Sequence, residues 1–353
     1  MNSRLTPLSR LLIVLVILAA LFFLIKKFVP SIGSKLTLPS TSTNANSGNT
    51  PATSDPSEIK LKTDPSNASG NKANGTNASS GPVSKSHFDY TSPAPVGGKL
   101  KGVVELGSTG FNSFIITVDR NKNWKLEKAD FGTSLVYEKL ATDQDIRDGL
   151  KKYIADMLQY GVSSKDIHFV ISSGAQKVDI TAKIMSYLKN MGYVTNPVTA
   201  TREGQLGFEC AMPQGYNNDA FVVDIGSANT KISWKENGAI KSLESPGSKY
   251  FQNNLTDEQV YATTKANASQ VPSSLHKTCF IIGGTPFDLA KQVRVGKERF
   301  TVLAGPGDYT AKDAKTKSGL NIYKAIADAT DCQQFVFDWD ANFTIGFLLG
   351  LPY

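Results

Sequence analysis

Two stretches of this chain end an apolar run on a carboxylate and follow it at once with a Gly-Ser turn. They are Val103-Val104-Glu105-Leu106-Gly107-Ser108-Thr109 and Val222-Val223-Asp224-Ile225-Gly226-Ser227-Ala228. These residue types suit a polyanion. Glycine lets backbone N–H groups approach phosphate oxygens, a hydroxyl donates one more bond, and a carboxylate at a strand end holds water on a divalent cation. Gly107, Ser108 and Thr109, with Gly226, Ser227 and Ala228, are therefore candidate phosphate-binding residues. Glu105 and Asp224 are candidate metal ligands, for Mg²⁺. A third small-residue turn, Gly283-Gly284-Thr285, follows the apolar run 279–282 and joins the phosphate-binding set. One such phrase is an ordinary β-turn; its recurrence points to two related lobes whose turns face each other.

Other chemistries lack their residues. No P-loop, no G-x-S-x-G elbow and no dinucleotide fingerprint occurs. Cys210, Cys279 and Cys332 are far apart and odd in number, and the three histidines are scattered, so neither a zinc site nor a disulfide framework is expected. The formal charge of +7 is concentrated at the start: residues 1–98 carry nine Lys/Arg against four Asp/Glu, and the remainder is nearly neutral. Nucleic-acid binding is not indicated. Lys249, beside Pro246-Gly247-Ser248, could reach a polyanion, and Arg202 could meet phosphate or a surface carboxylate. Asp288 suits the first turn of a helix.

The elements that would carry these turns can be read from periodicity. Residues 101–106 and 111–119 form a hairpin, and Asn121-Lys122-Asn123 turns into a strand over 124–129. A helix follows Thr142, which can cap it with Asp145 three residues on, and Ile146, Leu150, Ile154 and Leu158 make its buried stripe. A strand at 167–172 leads into a helix over 176–190. The pattern restarts at 220–224, with hairpin strands 230–234 and 239–243 joined by Asn237-Gly238. Helix 257–268, strand 279–282, a helix begun by Pro286, strand 335–338 and helix 341–351 complete an α/β alternation.

Ahead of this lies a different kind of chain. A basic flank, 1–10, precedes the apolar segment 11–29, which reaches nearly 30 Å as a helix with Lys26 and Lys27 at the head groups. No small-residue cleavage site follows, so it reads as an uncleaved single-pass anchor in the cell membrane. Residues 31–98, rich in Ser, Thr, Asn and Gly, read as a disordered linker with a reach of roughly 45 Å. Flanking charges hardly decide orientation; the polar linker suits the exterior and a polyphosphate site suits the cytoplasm, towards which the balance leans.

The order E-L-G-S, R-E-G-Q, D-I-G-S, G-G-T-P-F-D-L-A resembles the actin-like ATPase superfamily, and within it the exopolyphosphatase/guanosine pentaphosphate phosphatase (Ppx/GppA) family, over residues 101–351. Glu105-Leu106-Gly107-Ser108-Thr109-Gly110-Phe111 is comparable with that family's D-L-G-S-N-S-F. Asp224-Ile225-Gly226-Ser227-Ala228-Asn229-Thr230 is comparable with D-I-G-G-G-S-T. Gly283-Gly284-Thr285 resembles its S-G-T, Val170-Ile171-Ser172-Ser173-Gly174 its apolar strand and small-residue turn, and Thr201-Arg202-Glu203-Gly204 its S-G-x-E-E-A. The resemblance implies an α/β fold of two ribonuclease H-like lobes with a ligand cleft between them. Lobe I would cover 99–218, with helix 341–351 packing back on it, and lobe II 219–340. It implies Glu203 as the catalytic general base, acting with Mg²⁺ on a terminal phosphoanhydride of polyphosphate or of guanosine penta-/tetraphosphate. Departures stand beside it: Glu105 for Asp, Ser227-Ala228 for two glycines, Gly204 for one of two paired glutamates. The alternative is a non-catalytic module that binds a nucleotide or phosphate and recruits protein partners, or a second copy of itself, at the membrane.

Overall fold

The computed structural model of this protein describes residues 59–62, 87–108, 110–131 and 143–353. The flank 1–10, the anchor 11–29, much of the linker, and the residues Thr109 and Thr142 lie outside the described residues. Among the described residues no helix is long and apolar enough to cross a membrane.

Two mixed sheets organise the described chain. The first has the order β4-β3-β2-β5-β6, built from β2 (Lys99–Leu106), β3 (Phe111–Val118), β4 (Trp124–Phe131), β5 (Ile167–Ile171) and β6 (Thr195–Pro197). The second has the order β11-β13-β10-β7-β8-β9. Its strands are β7 (Ala220–Ile225), β8 (Asn229–Glu236), β9 (Ala239–Pro246), β10 (Thr278–Gly283), β11 (Phe300–Val302) and β13 (Gln334–Asp338). In each, a three-strand antiparallel meander begins with the strand that bears the acidic phrase, and that strand pairs in parallel with the next one on its other side. The second sheet adds only β11, antiparallel to β13 at its edge. One topology thus appears twice, as the repeated phrase predicts.

Why these segments fold so is mostly local. β2, β5, β7 and β10 are near-continuous runs of buried residues, as strands covered on both faces must be. The β8–β9 turn places Asn237 and Gly238 at φ 51° and 82°, the left-handed pair that an Asn-Gly hairpin supplies. The helices are α1 (Asp143–Tyr160), α2 (Ile180–Asn190), α3 (Ala200–Ala211), α4 (Asp257–Ala268), α5 (Gly284–Val293), α6 (Ala314–Thr330) and α7 (Phe343–Gly350). Thr256 begins α4 with a reciprocal capping box with Gln259. α1 buries Ile146, Leu150, Ile154 and Met157, whereas Leu158 is 44% exposed. The predicted stripe is corrected at its last member: after Ile154 the buried face advances by three residues, not four. The three cysteines are free thiols, two buried and Cys332 half-buried.

The linker reading needs a larger correction. β1 (Lys60–Leu61) pairs antiparallel with β12 (Tyr309–Thr310), the Lys62 N–H donates to Asp308 O at 2.8 Å, and Ile59 is buried in the core of the second sheet. Phe88 is buried against Tyr216, Phe280 and Phe300. Polar composition hid both: one large apolar residue and an open strand edge order a short segment whatever surrounds it.

Two helices link the sheets. α3 leaves β6 of the first sheet and lies across β8 and β9 of the second, and α7 returns after β13 to bury Phe343, Ile345 and Leu348 among first-sheet side chains. Gly204 makes the first crossing close. A Cβ there would stand 2.8 Å from Ser233 Oγ and overlap Ser242, so packing at this crossing favours glycine.

Candidate functional site

The two acidic phrases occupy equivalent hairpin positions. In the β2–β3 ladder Glu105 stands opposite Asn112, and in the β7–β8 ladder Asp224 stands opposite Lys231. Directly opposed residues hold their side chains a few ångströms apart. Each carboxylate therefore meets the side chain seven residues further on. The loops close alike: the Gly107 N–H donates to Gly110 O at 2.8 Å, and the Gly226 N–H to Asn229 O at 3.1 Å.

Lys231 is 5% exposed and lies between acids. Its Nζ is 2.5 Å from Glu203 Oε2 and 3.8 Å from Asp224 Oδ2. Glu203, in the first turn of α3, is 1% exposed. Its other oxygen, Oε1, accepts the Ser173 N–H from the turn after β5. Glu105 Oε2 accepts the amides of Asn112 at 2.9 Å and of Asn342, the cap of α7, at 3.1 Å. Asn229 donates Nδ2 to Ser173 Oγ at 3.0 Å and to Glu244 Oε1 at 2.9 Å, tying the second-sheet turn to the first. Three acids and one lysine from four elements thus meet in one buried cluster.

Burial shapes their protonation. Desolvation pushes Glu105 up to about 7, the Asn112 and Asn342 amides oppose it, and Glu203 and Asp224 add to the rise. Asp224 is raised by burial, with Lys231 pulling the other way. Burial works to discharge Lys231, yet Asp224, Glu203 and Glu105 together hold it above the usual lysine range.

Above this buried layer the turns form a more open rim. Ser108 and Ser227 are half-buried, and Ala228 and Gly284 are exposed. A Cβ on Gly174 would lie 2.7 Å from Ala228 Cβ and 3.1 Å from Ser108 Cβ, so the turns of the two sheets meet there. The carbonyls of Gly226, Ser227 and Ala228 accept the N–H groups of Ser248, Lys249 and Gly247. A trans peptide sends the following N–H the opposite way, so the Ser227 and Ala228 N–H groups point away from that segment. Gly283, at φ 106°, passes so close to Ile225 that a Cβ would overlap its carbonyl. Beside it Gly284 opens α5, with Lys315 Nζ 3.7 Å from where its Cβ would stand. Lys249 is lowered by burial and by Lys315.

The structure thus brings Glu105, Asp224 and Glu203 together and sets Gly107, Ser108, Gly226, Ser227, Ala228, Gly283 and Gly284 around them. Thr285 departs from the set: its hydroxyl packs against Gly319 of α6, buried and without a hydrogen-bond partner. Arg202 pairs with Glu209 on the outer side of α3. Sequence reasoning missed Lys231, Asn112, Asn229 and Asn342. The signal for the first two was the hairpin register, which places a partner seven residues after each acid.

A divalent cation does not fit these residues as arranged. Each Glu203 oxygen is already bonded to a protein donor, Glu105 faces two amides, and the remaining carboxylate, Asp224, faces an ammonium. Among the described residues no group of three or more His, Cys, Asp or Glu is disposed to hold a metal ion. A cavity of about 390 Å³, lined by Tyr90, Trp124, Cys210, Arg299 and Phe300 among others, contains none of the cluster residues.

The fold of this chain is that of Ppx/GppA structures. The Ppx/GppA family member from Aquifex aeolicus superposes with a TM-score of 0.56 at 16% identity, over 71% of this chain and 97% of that one. An exopolyphosphatase from Cytophaga hutchinsonii gives 0.53 at 12% identity, over 72% and 99%. At such identities the likeness is one of fold. No family model and no curated protein matches the sequence.

Proposed function

We propose that the protein is a phosphate-chain-binding module on the exopolyphosphatase fold, in which the rim of turns takes the ligand and the acidic cluster beneath is internal charge pairing. Glu203 carries this reading. A general base needs a lone pair directed at water, and here both carboxylate oxygens are bonded to protein groups and the side chain is buried. The Ser227 and Ala228 N–H groups, the start of α5 and the neighbouring Lys249 and Lys315 supply what a polyanion needs. Polyphosphate or a nucleotide polyphosphate is the ligand class, by analogy with the exopolyphosphatase neighbours. With segment 11–29 as anchor, the module would stand at the cytoplasmic face of the membrane and recruit protein partners or a second copy there.

Hydrolysis of a terminal phosphoanhydride is the second reading. The convergence of Glu105, Asp224 and Glu203 on one point favours it, with Glu203 as base once an opening of the lobes frees it. The two readings part in a phosphate-release assay on the purified full chain with polyphosphate, ATP or guanosine pentaphosphate, alongside calorimetric binding. Binding without release is the expected result. Phosphate release that Glu203→Gln abolishes refutes the module and establishes the hydrolase.

A further inference from the structure

We infer that Lys231 is a built-in counter-cation, standing where a divalent metal would bridge Glu203 and Asp224, so that the rim binds its phosphate chain without metal. The inference deepens the module reading and rests on it for the ligand; the exclusion of metal stands on the cluster alone.

Mg²⁺ binds carboxylate oxygens at roughly 2.0–2.1 Å and requires near-octahedral oxygen donors. An ion on Glu203 Oε2 would be in contact with the Lys231 ammonium, which sits 2.5 Å from that oxygen. Moving the ammonium aside has no easy route. Lys231 is fixed by its place in β8 opposite Asp224, its side chain is almost wholly buried, and Nζ lies 3.7 Å from where a Cβ of Gly226 would be. The other donors are replaced in turn. Asn112 and Asn342 present amide N–H groups to Glu105, and the Ser173 N–H occupies the far oxygen of Glu203. Glu203 has a protein partner on each oxygen, Glu105 on Oε2 and Asp224 on Oδ2, so the position bridging Glu203 and Asp224 is taken by an ammonium that also offsets one of the three carboxylate charges.

A chain of phosphates at the rim would then be neutralised by side chains. Lys315 stands beside the start of α5, Lys249 lies in the segment paired with the 226–228 turn, and Lys231 lies directly below Gly226. Such a site takes a free polyanion, and its affinity falls with added salt while ignoring chelators.

The test is Mn²⁺ titration of the full-length protein, read by the electron paramagnetic resonance signal of free Mn²⁺. The wild type is expected to leave that signal undiminished. Lys231→Gln removes the ammonium with little change of shape and is expected to gain one saturable Mn²⁺ site, which Asp224→Asn in the same background removes. Lys231→Arg keeps the charge should Lys231→Gln fail to fold, and is expected to remain free of metal. Saturable uptake by the wild type or by Lys231→Arg overturns the inference, as does a folded Lys231→Gln that gains no site. Sodium polyphosphate binding by the wild type, with EDTA or with Mg²⁺, is expected to be equal in both. Binding that needs Mg²⁺ overturns the inference, whereas no binding in either condition overturns the module reading and leaves the Mn²⁺ result to stand by itself.

Discussion

Lys231→Met tests the cluster most directly. The substitution keeps the length of the buried stem and deletes the only cation within reach of Glu203 and Asp224 among the interactions described above. Breaking a buried ion pair by removing one partner typically costs about 3–5 kcal/mol, because an uncompensated charge stays buried. Proton uptake by Asp224, which burial already raises, relieves part of the penalty as pH falls. The variant should therefore lose roughly 3–5 kcal/mol at pH 7, or about 6–20 °C in melting midpoint for a chain of this size, and regain part of it towards pH 5. Thermal and urea unfolding followed by circular dichroism at the two pH values gives both numbers. Adding Glu203→Gln should recover part of the loss at pH 7, a coupling that a double-mutant cycle isolates. A loss below about 1 kcal/mol, or one equal at both pH values, refutes the picture of a dry, lysine-neutralised cluster.

Two further predictions follow from the same physics and from the docked strand. Glu105 is raised to about 7 in the fold, so the folded state holds its proton more tightly than the unfolded chain. Its favourable contribution is full below the ordinary carboxylate range and is lost as pH rises through 7. Glu105→Gln should thus stabilise by up to about 3 kcal/mol at pH 8 and scarcely at all at pH 4.5, and equal unfolding midpoint shifts at both would contradict the cause assigned. Ile59→Asp places a carboxylate in the second-sheet core and should release β1; trypsin is expected to spare Lys60 and Lys62 in the wild type and to cut there early in the variant, and equal rates in a timed digest would contradict the docking.

Much of the site was legible before any coordinates, because it is made of local signals repeated. A carboxylate at the end of a buried run, then Gly and Ser, fixes a strand, a turn and a direction; two copies imply one topology used twice. Gln205 and its neighbours gave no such cue for Gly204, which looked like a lost glutamate. Only the face of β8 and β9 shows that a Cβ there would collide with Ser233 and Ser242. Helix α6 escaped notice although Asp313 caps it and Ile322 and Ile326 line its buried face; its apolar positions are diluted by lysines and alanines.

By itself the sequence determined the short-range facts: the alternation of strand and helix, the hairpin turns, the paired acidic phrases and the turn glycines. These follow from backbone preference and side-chain periodicity within a dozen residues. Tertiary structure alone decided what those acids meet. Asn342 reaches Glu105 across 237 positions of chain, and the Ser173 N–H reaches Glu203 across 30. Lys231, ordinary in a list of charges, becomes the centre of the site because burial strips its water and sets it between Glu203 and Asp224.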